Sequence, residues 1–136
     1  MTTFVDTSVL YAAVDEDDPG TARAREILAA EAALATSDHV LAETWRLARD
    51  LGGWQAAEEL WGELRAQVEI APILDHDLAV AWEIGRSFAD QEFSLVDRTS
   101  FAVMERLGIT RVASFDDDFV VYRYGARRER AFEVLR

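Results

Sequence analysis

Thr3-Phe4-Val5-Asp6-Thr7-Ser8-Val9-Leu10 runs from a short apolar stretch into an acid and then directly into a helical pattern. Thr3–Val5 reads as a short buried strand and Thr7–Val14 as a helix, with Asp6 at the joint. An acid at the end of a buried strand is costly unless something positive meets it. As the N-cap of the helix that follows, it would be ordinary, and the two roles are compatible.

Outward from this stretch, strands and helices keep alternating. Asp15-Glu16-Asp17-Asp18-Pro19-Gly20 is a loop, and Thr21–Ala32 a helix. Leu34–Thr36 is a brief strand, and Ser37 or Asp38 caps a helix over residues 38–50. Gly52-Gly53 breaks it, and a second helix follows over 54–66. Val68–Ala71 is a strand ended by Pro72. Asp75 caps a helix reaching Ala89, and Ser94–Leu107 holds another, closed by Gly108. Arg111–Ser114 is a strand, a short helical turn follows Asp116, and Phe132–Leu135 is a last, edge strand. No linker, repeat or low-complexity segment interrupts residues 1–136, so the expectation is one α/β domain. Its architecture is expected to be three layers, α/β/α, around a central, mostly parallel sheet of four to five short strands.

In such sheets, ligands sit beyond the carboxyl ends of the strands. Asp6 occupies that position, and so does Asp116, which closes the run Val112-Ala113-Ser114-Phe115. Two further acids lie on the apolar stripes of helices: Glu43 in register with Val40 and Leu47, and Asp97 with Phe101 and Met104. Each has an ordinary alternative. Glu43 can pair with Arg46 or Arg49 on a surface, Asp97 can offset a helix dipole, and Asp116 can be a turn residue or cap. Together, two strand-end acids and two inward-facing helical acids make a better case than any one alone. Clustered carboxylates do not all ionise cheaply, and a divalent cation with oxygen ligands is their natural counter-charge. Asp6, Glu43, Asp97 and Asp116 are therefore the candidate catalytic and metal-binding set, with Asp118 an auxiliary candidate.

Other features are read as structural. Asp117, the acids of the 15–18 loop and Glu58-Glu59 are expected to be solvated, and His39 and His76 are too isolated for a histidine metal site. Trp45 and Trp82 are expected in the core. Trp54 and Trp61, seven apart on one helix face, are expected there too, with a protein interface as the alternative.

Composition excludes several chemistries. There is no cysteine, so disulfides, thiolate metal sites and thiol nucleophiles are ruled out. All 14 basic residues are arginine, so Schiff-base and P-loop lysine mechanisms are ruled out as well. No leader pattern begins the chain, and no apolar run approaches the roughly 18 residues of a membrane span; a cytoplasmic protein without membrane contact is expected. The net charge of −12 disfavours non-specific nucleic-acid binding. It is uneven, however: residues 123–136 hold 5 Arg against 2 acids, while 1–122 hold 9 Arg against 24 acids. Arginine forks suit phosphates, and Arg98, Arg123, Arg127 and Arg128 are candidates to steer them, with plain surface charge as the alternative.

Four segments carry a family resemblance. Phe4-Val5-Asp6-Thr7-Ser8-Val9-Leu10 resembles the opening motif of PIN domains, and Leu41-Ala42-Glu43-Thr44 their second. The stretch from Ser94 to Met104 resembles the third, and Ala113-Ser114-Phe115-Asp116-Asp117-Asp118-Phe119 the fourth. Order and spacing fit over nearly the whole chain, which looks like a small prokaryotic PIN ribonuclease of the VapC toxin type. The resemblance implies a Mg2+- or Mn2+-dependent endoribonuclease paired with a VapB-like antitoxin, and a homodimer; single-stranded or looped RNA is the expected substrate, since an exposed backbone must reach the metal. By motif position, Asp6, Glu43, Asp97 and Asp116 match the family's acidic quartet, and Asp118 a fifth acid of some members. Arg98 stands where a small residue is common, and would narrow the cleft or touch a phosphate. Ser8 or Thr7 would orient Asp6 through a hydroxyl.

Rival readings remain. A phospho-acceptor receiver domain would need a late lysine, and a haloacid-dehalogenase-like phosphatase would need an acid at position 8, which is Ser. A catalytically idle PIN-fold interaction module and a DNA-directed nuclease are the alternatives to an RNA nuclease.

Overall fold

β1 (Thr2–Val5) lies at the centre of the sheet in a computed structural model describing residues 1–136. The elements that follow are α1 (Thr7–Val14), α2 (Thr21–Ala30), β2 (Ala33–Ser37), α3 (Asp38–Gly52), α4 (Trp54–Gln67) and β3 (Glu69–Ala71). Then come α5 (Asp75–Ser87), α6 (Leu95–Leu107), β4 (Arg111–Ala113), α7 (Asp118–Val121) and β5 (Glu133–Leu135). The sheet has five strands in the order β3-β2-β1-β4-β5. Every pairing is parallel, so the expected mostly parallel sheet is wholly so.

That order explains where a site can form. The first two crossovers carry the chain from β1 to β2 and on to β3. The third returns it past β1 to β4, reversing direction. Right-handed crossovers then place the helices before and after the reversal on opposite faces, giving three layers. The crevice at the reversal opens between the ends of β1 and β4, the usual ligand position in an open α/β sheet. The register Phe4↔Val112 and Val5↔Ala113 brings Asp6 level with Ser114, and the Asp6 N–H bonds the Ala113 carbonyl at 3.0 Å.

The layers are held by apolar burial. Phe4, Val5, Val9, Val40, Val103 and Val112 are fully buried. α6 packs through Phe101, whose ring stacks on Tyr122 at 4.1 Å and meets Phe93 and Phe119 edge-on. Local chemistry sets the helix ends. Ser37 Oγ accepts from the Val40 N–H, Ser94 Oγ accepts from the Asp97 N–H, and Gly108 closes α6 at φ 69°, a left-handed position suited to glycine.

Several expectations need correction. Asp75 is not the cap of α5: Leu74 takes that place, and Asp77 accepts from its N–H at 2.9 Å. Asp77 is an acid that the sequence reading passed over. It is fully buried, yet Arg106 grips both of its oxygens, at 3.0 Å each, and holds it below the ordinary carboxylate range despite its burial. The tryptophans also depart from expectation. Trp82 is 67% exposed and Trp54 63% exposed, and Trp61 is exposed too. The inward face of α5 is already filled by Ala81 and Ile84, which leaves Trp82 outside. Trp45 is half-buried against the core, its indole N–H directed to Glu58. No helix is long and apolar enough to cross a membrane.

Candidate functional site

Asp6 stands at the N-cap of α1, but its side chain does not cap the helix. Instead its Oδ2 accepts two hydroxyl hydrogen bonds, from Ser8 and from Ser114, both 2.9 Å. Each serine also accepts a backbone N–H: Ser8 from Phe115 at 2.9 Å and Ser114 from Asp116 at 3.0 Å. A hydroxyl has one proton to give. Both protons are committed to Asp6, so the 3.4 Å contact between the two serines is packing rather than a bond. The pair thus fixes one oxygen of Asp6, leaves Oδ1 outside the serine pair, and ties the end of β1 to the loop that carries Asp116.

Asp97 reaches the same crevice from the first turn of α6, positioned by the Ser94 cap. Its carboxylate, with those of Asp116 and Asp118, forms a cluster in which one oxygen from each of the three lies within 4.8 Å of the others. Asp116 Oδ1 accepts the Asp118 N–H at 3.1 Å, which holds this acidic turn in shape. One turn along from Asp97, Ser100 Oγ is buried with no partner, so the same face of α6 carries one further uncommitted oxygen.

The electrostatics follow from burial. Asp97 is 7% exposed. Burial first, then the hydrogen bond to Asp118 and the charges of Asp6, Asp116 and Asp118, push its carboxyl up to about 8. Burial also raises Asp6 above the ordinary range, with Asp116 adding to the effect and the two serine hydroxyls opposing it. Without a cation, Asp97 therefore keeps its proton at neutral pH. The donor set suits a hard divalent cation: every donor is a carboxylate oxygen, and no nitrogen or sulfur ligand stands among them.

The sign of the pH dependence follows. In the unfolded chain Asp97 ionises near the ordinary 3.8, whereas in the fold it ionises near 8. Between those values the native state binds the extra proton, so its contribution to stability falls as pH rises through the window. In chelator, wild-type stability is expected to drop from pH 4.5 to 8.5 relative to Asp97→Asn, as read by urea denaturation at each pH. Parallel curves for the two proteins would contradict this.

The structure brings three of the four expected acids, Asp6, Asp97 and Asp116, to one crevice, together with Asp118, the auxiliary candidate. Glu43 differs: it is exposed, whereas an inward-facing residue was expected. α3 buries the line Val40, Thr44, Ala48, and Glu43 falls to the side of that line. Its neighbourhood still borders the crevice. Thr44 Oγ1 bonds Thr7 at 3.2 Å, and His39, one turn before Glu43, lies 3.3 Å from Thr99. Arg98 does not face the cleft, because it turns to the carbonyls of Ser94 and Ala81. Arg123 is likewise spent on the carbonyls of Val120, Val121 and Tyr122.

Ser114 is the contributor that sequence reasoning missed. A serine in a strand-like run looks inert, and only the parallel register with β1 reveals its partner. Ser8→Ala combined with Ser114→Ala is expected to weaken divalent-metal binding by about 10–100-fold, the usual range for groups that orient ligands. Calorimetric Mn2+ titration measures this, and an unchanged affinity would rule the serine clamp out.

The PIN-domain family model matches residues 3–123. The 23S rRNA-specific endonuclease VapC20 of Mycobacterium tuberculosis is 36% identical over 118 residues, covering 85% of this chain and 90% of that protein. The crystal structure of VapC20, described as a Sarcin-Ricin loop cleaving toxin, superposes with a TM-score of 0.82 at 33% identity, over 89% of this chain and 94% of that one. VapBC2 from Rickettsia felis, solved bound to a DNA fragment from its promoter, shares the fold at 13% identity. Its TM-score is 0.70, over 98% of this chain and 97% of that one.

Proposed function

Because the chain belongs to the PIN-domain family, we propose that it is a metal-dependent endoribonuclease of the VapC toxin type, one nuclease domain over residues 1–136. The observation that carries the reading is the crevice where Asp97, Asp116 and Asp118 converge within 4.8 Å beside the serine-clamped Asp6. An interaction module without catalysis has no use for buried carboxylates that repel one another.

Asp6, Asp97 and Asp116 would hold Mg2+ or Mn2+, with Asp118 completing the shell. When bound, the cation supplies neutralising charge for the phosphate and lowers the pKa of a coordinated water. The chain's own residues do the rest. Ser8 and Ser114 orient Asp6 so that one oxygen stays directed into the crevice. Ser94 fixes the first turn of α6, and with it Asp97. Glu43, exposed on α3 beside the crevice-bordering Thr44, would take the proton of the attacking water on its carboxylate. The water oxygen bonds to phosphorus as the bond from phosphorus to the 3′ oxygen breaks, and the leaving 3′ oxygen takes a proton from solvent water. The products are a 3′-hydroxyl end and a 5′-phosphate end.

The relative's substrate suggests the first RNA to try. Purified protein with Mn2+ is expected to cut a sarcin–ricin-type stem–loop RNA, leaving 5′-phosphate ends detectable by labelling, with no cutting in chelator. Cutting that persists in chelator would sink the metal-dependent assignment, and absence of cutting on any RNA tested with Mn2+ would sink the nuclease.

A VapB-like antitoxin and a second copy of the chain are the proposed partners, in the cytoplasm. The exposed Leu51, Trp54 and Trp61 on α3 and α4 support a docking face of that kind. An arginine from the partner placed among the acids would neutralise them in place of metal.

A further inference from the structure

We propose that the loop 123–130 grips the phosphate backbone of the substrate RNA, an assignment that rests on the nuclease reading above. The need for such a grip comes from charge. Residues 1–122 carry 24 acids against 9 Arg, so most of the surface repels a polyanion, and the catalytic crevice is itself acidic. Binding then requires a local cationic surface.

The arginines are not equally free to provide it. Arg23, Arg46, Arg86, Arg106, Arg111 and Arg136 are paired with carboxylates. In the loop, Arg127 and Arg130 make no side-chain hydrogen bond and no ion pair, and both are exposed. Arg128 gives one N–H to the Ser87 carbonyl at 3.2 Å and lies over the Phe88 ring at 4.3 Å, leaving most of its fork uncommitted. The one acid among them, Glu129, is held by the Arg127 backbone N–H at 2.8 Å and rests against Gly125, making no ion pair with the loop arginines.

The loop is held in shape rather than left loose. Tyr124 and Arg130 form an antiparallel bridge, and the Tyr124 ring stacks on Phe132 at 4.8 Å. Arg128 has φ 53°, a left-handed conformation that glycine adopts more easily. A strained backbone at an arginine whose guanidinium is parked on an aromatic ring presents that charge in a fixed direction. The chain itself places the loop next to the acidic turn: α7 starts at Asp118, a member of the acidic cluster, and ends at Val121, two residues before Arg123.

The test compares two charge-matched double variants, Arg127→Ala/Arg130→Ala in the loop and Arg49→Ala/Arg65→Ala on α3 and α4. All four arginines lack an ion pair; the one ring contact removed is the approach of Arg130 to Tyr124 at 6.0 Å, and thermal melts verify that both variants keep the fold. Binding of a fluorescent single-stranded RNA is measured in chelator over a salt series, and cleavage is measured with Mn2+. The loop double variant is expected to bind about tenfold more weakly near 100 mM salt, with its salt slope reduced by about 1.4, or 0.7 per lost phosphate contact. Its KM is expected to rise while kcat holds. Arg49→Ala/Arg65→Ala is expected to stay within about twofold of wild type, as surface charges remote from the RNA would. An unchanged slope in the loop variant, or equal losses in both variants, would overturn the grip. Wild-type cleavage alongside an unchanged slope removes this assignment alone, whereas salt-dependent binding without any cleavage removes the nuclease reading and leaves the grip.

Discussion

Asp97→Asn is expected to lower RNA cleavage at least about a hundredfold while making the metal-free protein more stable. Asparagine keeps the shape of the side chain but removes a charge that the fold does not favour. Asp97 is 7% exposed and pushed up to about 8 by burial and by three neighbouring acids. At pH 8.5 the wild-type native state must carry that charge, and the Asn variant need not. A gain in stability with a loss of activity is the pattern of a residue kept for function, because active sites hold groups that packing alone would reject. A merely structural acid would behave like Asp77, where burial is offset by two contacts from Arg106. Melting in chelator at pH 8.5, together with the Mn2+ cleavage assay, reads both effects. A variant that melts lower, or that still cuts at the wild-type rate, would remove Asp97 from the site.

Phe101→Ala is expected to cost about 3–5 kcal/mol, the range for emptying a buried aromatic site. Phe101 is fully buried, stacked on Tyr122 at 4.1 Å, and meets Phe93 and Phe119 edge-on. The hole would open between α6, α7 and the segment that leads to β5, with little able to collapse into it. Since domains of this size are stable by about 5–15 kcal/mol in total, the loss is a large share. Urea denaturation checks it. A loss under about 1 kcal/mol would mean that the aromatic cluster is not the support of α6. Phe101 lies one turn from Asp97, so the same helix carries the core on one stretch and the acid on the next. Cleavage by this variant is therefore expected to fail at a lower temperature than wild-type cleavage, in step with its melting.

Much of the fold could be read from the chain because its signals are local. The run Thr7–Val14, the Ser94 cap and the Gly108 stop each depend on a few neighbouring residues, and all three coincide with the observed helix ends. Misreadings arose where a helix had more apolar residues than inward positions. Trp82, Trp54 and Trp61 look like core by type, yet the inward faces of α5 and α4 are filled by Ala81, Ile84, Ala57, Leu60 and Leu64. Glu43 was misplaced for a related reason: spacing from Val40 and Leu47 does not decide which side of the stripe faces the sheet. Asp77 went unnoticed because its partner is 29 residues away.

The sequence by itself determined the alternation of strands and helices, the all-arginine cationic content and the identity of the acids at the strand ends, because propensity, capping and composition act over short range. Only the tertiary structure decided that Ser114 clamps Asp6 across 108 residues, that Asp118 joins Asp97 and Asp116, and that Arg98 turns away from the cleft. These depend on strand order and register, which bring side chains remote in the chain to within hydrogen-bonding distance, and no local pattern encodes that meeting.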